Sequence, residues 1–93
     1  METIVRPELD REESIRQSGP WVVILYNDDW HPYDQVVFQV QKATGCDLEQ
    51  AEAITYEAHI SGRAIAFSGT MEECERVAGI LREIRLQVET DRA

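Results

Sequence analysis

The residues of this chain whose types suit chemistry are Asn27-Asp28-Asp29, His31 just beyond them, and His59. Aspartate and histidine are ligands for zinc or iron, yet no HxxxH, HxH or HxxE spacing unites these residues. A metal-dependent hydrolase built on His31, His59 and the two aspartates therefore rests on composition alone. Covalent hydrolysis needs an activated nucleophile, and no Ser or Cys stands in a recognisable nucleophile setting. No catalytic residue, metal or cofactor is expected. A plainer structural reading competes for every member of the cluster. Asn-Asp-Asp after a strand is ordinary turn chemistry, because short polar side chains cap their own backbone. A histidine near a helix C-terminus meets the dipole and the last carbonyls. Trp30 reads as a loop aromatic packing on the domain, and Glu72, Glu73 and Glu75 as a solvated helix start.

The elements that must position these residues are well punctuated. Trp21–Tyr26 is apolar at every position, rich in β-branched and aromatic side chains, and runs straight into Asn27; this is a buried strand. Pro32 falls at a helix start, and Tyr33, Val36, Val37 and Val40 follow at helical spacing until Thr44-Gly45. Asp47 with Gln50 reads as a capping box for a second helix, with Leu48, Ala51, Ile54, Thr55 and Ala58 inward and Gly62 as its stop. Residues 63–68 read as a second strand. Thr70 with Glu73 is another capping box, opening a third helix with Met71, Cys74, Val77, Ala78, Leu81 and Ile84 inward. Gly79 weakens that helix by about 1 kcal/mol relative to Ala without reversing the assignment. Residues 85–89 alternate, with Leu86 and Val88 on one side, as a short last strand before a charged tail. The order is β-α-α-β-α-β, and the fold class is α+β, with one sheet covered on one face by helices.

Composition bounds what such a domain can be. The chain has 93 residues, 18 acidic against 9 basic, and a net charge of −9. One small domain fits that length, and its acidic surface disfavours nucleic acid while favouring cationic partners. A 43% hydrophobic content is ordinary for a folded domain. Residues 1–19 differ from the rest: five acidic and three basic residues with few apolar ones read as a flexible acidic arm, leaving 20–93 as the folded domain. The six-residue apolar run at Trp21–Tyr26 is far short of the roughly 20 residues of a membrane span, so no membrane role is expected. Cys46 and Cys74 are outside any CxxC and read as small buried side chains on helices. With no secretory pattern after Met1, the expected setting is the cytoplasm, a plastid stroma being also compatible.

The string from Val22 through Asn27-Asp28-Asp29-Trp30-His31-Pro32-Tyr33 to Val37 resembles the signature of the ClpS adaptors: a strand ending in NDD, an aromatic, and a Thr-Pro-x-Met helix start. Further on, Ala58-His59-Ile60-Ser61-Gly62-Arg63-Ala64 is similar to that family's Val-His-x-x-Gly-Lys-Ala. The likeness runs from Pro20 to about Asp91 with matching element order. NDD alone is weak, but NDD-x-x-P followed by His-x-x-Gly-basic-Ala is specific. The resemblance implies a three-stranded antiparallel sheet covered on one face by three helices. It implies a monomeric adaptor for N-degrons, one that binds the first residue of a substrate and delivers it to a AAA+ unfoldase of the ClpA or ClpC kind, coupled to ClpP.

By that resemblance Asn27 and His59 hold the α-amino group directly, with Asp28 or Asp29 acting directly or through water. The chemistry is reasonable, since an α-ammonium carries three donors and needs oriented acceptors in a partly dry pocket. His31, Tyr33, Val36, Thr55, Ala58 and Leu86 match the positions that surround the bulky side chain of an N-terminal Phe, Tyr, Trp or Leu. Three of them depart from the family: His31 replaces a usual Thr, Tyr33 a usual Met, and Thr55 a common Met. Tyr33 is stiffer than Met and can narrow or cap the entrance, whereas Thr55 and Ala58 leave depth behind it. His31 adds a titratable group whose protonation is expected to oppose cation binding. The alternative function is an unfoldase-docking regulator whose pocket is occluded by Tyr33. The N-terminal arm is placed to serve in delivery.

Overall fold

The computed structural model describes residues 21–93; the arm expected at 1–19 lies outside the described residues. Strand β1 (Trp21–Tyr26) is the middle of a three-stranded antiparallel sheet, between β2 (Arg63–Gly69) and β3 (Val88–Arg92). Helices α1 (Tyr33–Thr44), α2 (Leu48–Ser61) and α3 (Met71–Arg82) cover one face, with α3 against all three strands. This is the α+β order read from the sequence. Of the uniformly apolar residues of this central strand, Val22, Val23 and Leu25 are buried and the other three are half-buried. Val23 and Leu25 point into the core with Val40, Cys74, Val77 and Leu81, all fully buried.

Opposite Val23 and Ile24 the β1–β2 register slips by one residue: Val23 pairs with Phe67, but Ile24 pairs with Ile65. The extra residue puts Phe67 on the same face as Ala64, so both pack against the core. The helix starts follow the sequence signals. Asp47 accepts the Gln50 N–H at 2.8 Å, giving one half of the expected capping box. The Thr70–Glu73 box is complete in both directions, at 3.0 Å each. Leu48 and Met71, expected inward, instead sit exposed at the first positions of α2 and α3. Cys74 is buried as expected, whereas Cys46 lies half-buried in the α1–α2 connection rather than on a helix.

The chain after α3 corrects the sequence reading. The helix ends at Arg82, not Ile84, and the last strand is Val88–Arg92, not 85–89. Arg85 N–H bonds the Arg82 carbonyl at 2.9 Å and Leu86 N–H the Leu81 carbonyl at 3.4 Å. Those are the 5→2 and 6→1 bonds of a Schellman exit, and Arg85 takes its left-handed position at φ 67. A left-handed residue interrupts extended alternation, so Leu86 is buried before the strand begins. The presumed charged tail then continues the sheet, Asp91 pairing with Val22 and Arg92 with Trp21. Charged side chains are normal on an edge strand.

Candidate functional site

The loop from Asn27 to Pro32 leaves the centre of the sheet and meets the ends of two helices. Asn27 N–H donates to the Gly62 carbonyl at 3.0 Å, fastening the end of β1 to the turn that closes α2. That turn needs glycine: Gly62 has φ 92, and its N–H bonds the Ala58 carbonyl at 2.9 Å. The fastening brings Asn27 beside His59, which sits in the last turn of α2. Neighbouring elements close a cavity of about 260 Å³ around them.

All ten residues singled out from the sequence line this cavity: Asn27, Asp28, Asp29, His31, Tyr33, Val36, Thr55, Ala58, His59 and Leu86. Leu25 and Tyr26 complete the wall and were missed. Leu25 is an inward residue of β1, but a strand apolar at every position does not show in its sequence which residues face in. Tyr26 carried no signal either, and its hydroxyl donates to Glu89 at 2.7 Å across the sheet. That bond, with burial adding to it, raises the phenol's pKa, while Arg63 acts the other way.

The apolar part of the wall comes from Leu25, Val36, Ala58 and Leu86. Buried Thr55 belongs with them, because its hydroxyl donates to the Ala51 carbonyl at 2.8 Å within its own helix. Tyr33 is 40% exposed. Its hydroxyl donates to the Glu52 carbonyl at 3.3 Å, and its ring stands edge-on to His59 with centroids 6.4 Å apart. Tyr33 therefore walls the cavity rather than filling it. Partial burial, with the charges of Glu52 and Asp34 and neighbouring Tyr56, raises its pKa. Trp30, expected to pack on the domain, is 87% exposed at the loop tip. Its backbone, not its ring, holds the loop.

The polar residues of the motif divide sharply. Asp28 Oδ1 accepts the N–H groups of Trp30 at 2.9 Å and His31 at 3.0 Å, and Oδ2 faces His31 Nδ1 at 2.8 Å. The other ring nitrogen, His31 Nε2, faces the Ile84 carbonyl at 2.5 Å. Burial alone would raise the pKa of Asp28, but hydrogen bonds from His31 and Trp30 outweigh it and leave the pKa lowered. The Ile84 carbonyl raises the pKa of His31, burial opposes it, and Asp28 adds to the rise. So Asp28 and His31 answer each other. None of the side-chain hydrogen bonds among the described residues uses Asn27, Asp29 or His59. Nor do any three His, Cys, Asp or Glu side chains among the described residues group as a metal site. No described helix is long and apolar enough to cross a membrane.

An amide oxygen, a carboxylate and an imidazole beside an apolar hollow can hold a group that is cationic at one end and apolar at the other. Fold and cavity together define a small recognition domain. The family model for the ATP-dependent Clp protease adaptor protein ClpS matches residues 16–89, and the chain belongs to the ClpS family. A ClpS adapter of Cronobacter sakazakii is 30% identical over 76 residues, covering 82% of this chain and 72% of the adapter. That of Streptomyces avermitilis is 37% identical over 57 residues, 61% of this chain and 54% of the adapter. The human E3 ubiquitin-protein ligase UBR1 is 32% identical over 69 residues, 73% of this chain. The chain spans only 4% of that ligase's length and about half of the Streptomyces adapter. Among solved structures, Agrobacterium tumefaciens ClpS2 bound to L-phenylalaninamide shares the fold. Its TM-score is 0.73 at 18% identity, covering 82% of this chain and 96% of that one.

Proposed function

We propose that this protein is an N-degron adaptor: it binds the free α-amino group and bulky apolar side chain of a substrate's first residue, Phe, Tyr, Trp or Leu. The bound substrate is then handed to a AAA+ unfoldase of the ClpA or ClpC type in the cytoplasm, with no catalysis by the adaptor itself. The observation that carries this reading is the cavity's two-sided wall. Asn27, Asp29 and His59 present acceptor groups that no described side-chain hydrogen bond occupies, next to Val36, Thr55, Ala58 and Leu86. L-phenylalaninamide, the ligand of the Agrobacterium relative, has that same pairing of a free amine and an apolar ring. In this reading His59 accepts through a ring nitrogen, Asn27 through its amide oxygen, and Asp29 supplies the charge.

Fluorescence polarisation with peptides beginning in Phe, Leu, Trp or Tyr, each free and N-acetylated, tests it. Free amines are expected to bind and acetylated ones to fail; equal binding of both sinks the α-amino mechanism. Delivery is tested separately, by degradation of a reporter with N-terminal Phe by unfoldase and ClpP with and without the adaptor. The occluded-regulator alternative predicts unfoldase binding with no peptide binding at millimolar levels.

A further inference from the structure

We propose that His31 is a positioning residue acting as an imidazolium, which ties the β1–α1 loop to the exit of α3 and so holds the proposed α-amino subsite in shape. Its binding consequence rests on the N-degron reading; the tie itself rests on geometry. Both ring nitrogens of His31 face acceptors: an Asp28 carboxylate oxygen at 2.8 Å and the Ile84 carbonyl oxygen at 2.5 Å. A neutral imidazole has one N–H and one lone pair. Either tautomer would therefore set a lone pair against an oxygen at hydrogen-bond distance. Only the doubly protonated ring satisfies both contacts.

The second acceptor is supplied by the way α3 ends. The N–H groups of Arg85 and Leu86 turn back to Arg82 and Leu81, and the Ile84 carbonyl takes the His31 ring. It lies at the negative end of the α3 dipole, where a cation is favoured. The side chains of His31 and Asp28 are only 14% and 16% exposed, so water replaces these contacts poorly. The rise in His31 pKa noted above runs in the same direction.

Other charged or titratable groups near the tie are Asp29 on the loop, Tyr26 at the end of β1, Tyr33 on α1 and His59 on α2. Glu83 and Arg85 flank Ile84 at the α3 exit. The consequence reverses what the sequence suggested. Protonation of His31 does not set a bare cation against the substrate's ammonium, because Asp28 stands against the ring. Loss of that proton would release the loop whose two neighbours of Asp28, Asn27 and Asp29, face the ligand.

Two measurements test this. In the free chain, NMR titration of the histidine rings should show both His31 nitrogens protonated at neutral pH, with a pKa above the ordinary value of about 6.5. An unprotonated ring nitrogen at neutral pH overturns the proposal. In parallel, the affinity for a Phe-initiated peptide is followed from about pH 6 to about pH 8.5 in wild type and His31→Gln. Every other titrating group is shared by the two proteins, so the ratio of affinities isolates His31. We expect wild type to bind on the order of tenfold tighter near the acidic end, the effect of one charge-assisted hydrogen bond, and the ratio to approach one near the basic end. A ratio constant with pH overturns the proposal. If His31→Gln does not fold, the ring titration still decides. Failure of free-amine peptides at every pH would fell the N-degron reading and the binding half of this proposal, leaving the tie to be judged by NMR.

Discussion

Within one motif of three residues, Asn27-Asp28-Asp29, the side chains behave in opposite ways. Asp28 has its carboxylate filled by Trp30 N–H, His31 N–H and the His31 ring, and through that ring it reaches the Ile84 carbonyl. Asn27 and Asp29, its immediate neighbours, bring polar side chains to the cavity with no such partners among the described residues. Short polar side chains side by side thus end up in two settings, one engaged in holding the loop and two lining the cavity. The difference is set by backbone geometry: an Asx-type turn captures the middle residue and leaves the flanking pair turned to the cavity. A motif of three adjacent polar residues is more informative for this reason than its composition suggests. One member fixes the loop that sets the other two at the cavity.

Breaking the cavity-lining side should have the largest effect on binding. Asn27→Ala and His59→Ala are each expected to weaken a free-amine, Phe-initiated peptide by roughly 10- to 100-fold, as for a lost hydrogen bond to a charged group. Chemical denaturation should show stability within about 0.5 kcal/mol of wild type for both. Asp28→Ala should show the reverse balance, losing about 1–3 kcal/mol of stability because it leaves three donors without their acceptor.

The loop-holding side should also have a pH signature. Hydrogen bonds lower the Asp28 pKa in the fold, so its stabilisation is complete above the ordinary carboxylate value of about 3.9. It is lost as pH falls through the lowered folded value. His31 has a raised pKa, so its contribution is complete below about 6.5 and is lost as pH rises through the raised folded value. Urea unfolding across pH should therefore place the greatest advantage of wild type over Asp28→Ala in the window between those limits.

Arg85→Gly sharpens the comparison differently. Glycine accepts φ 67 without the penalty of a side chain, so stability should rise by about 1 kcal/mol with peptide affinity unchanged. Asp29→Asn should give the smallest effect, a roughly threefold loss of affinity that shrinks in high salt, because an exposed charge is screened.

The positions that line the cavity were legible in the sequence, and the contacts that hold the loop were not. The ten candidate positions were named through the family resemblance, where spacing alone favoured ordinary turn and helix-end roles, and the fold brings all ten to one cavity. The β-α-α-β-α-β order was readable because Pro32, Gly45, Gly62 and two N-caps punctuate it. The Ile84 partner of His31 was not, because it is a backbone carbonyl and carries no residue signature. Arg85 gave no warning of a left-handed turn, a place where glycine is the usual signal, so the last strand was read three residues early. Trp30 was misplaced because nothing in a sequence separates an aromatic at a loop tip from one tucked beneath it.

The most direct test is a crystal structure of this protein with a Phe-initiated peptide. It is expected to show the α-nitrogen within hydrogen-bond reach of the Asn27 amide oxygen and a His59 ring nitrogen, Asp29 close enough to compensate its charge, and the benzyl ring between Val36, Ala58 and Leu86. Asp28 should still be held by His31, with the Ile84 contact intact. An α-nitrogen bound to Asp28 with His31 swung away, or a peptide seated outside the cavity, would contradict the account.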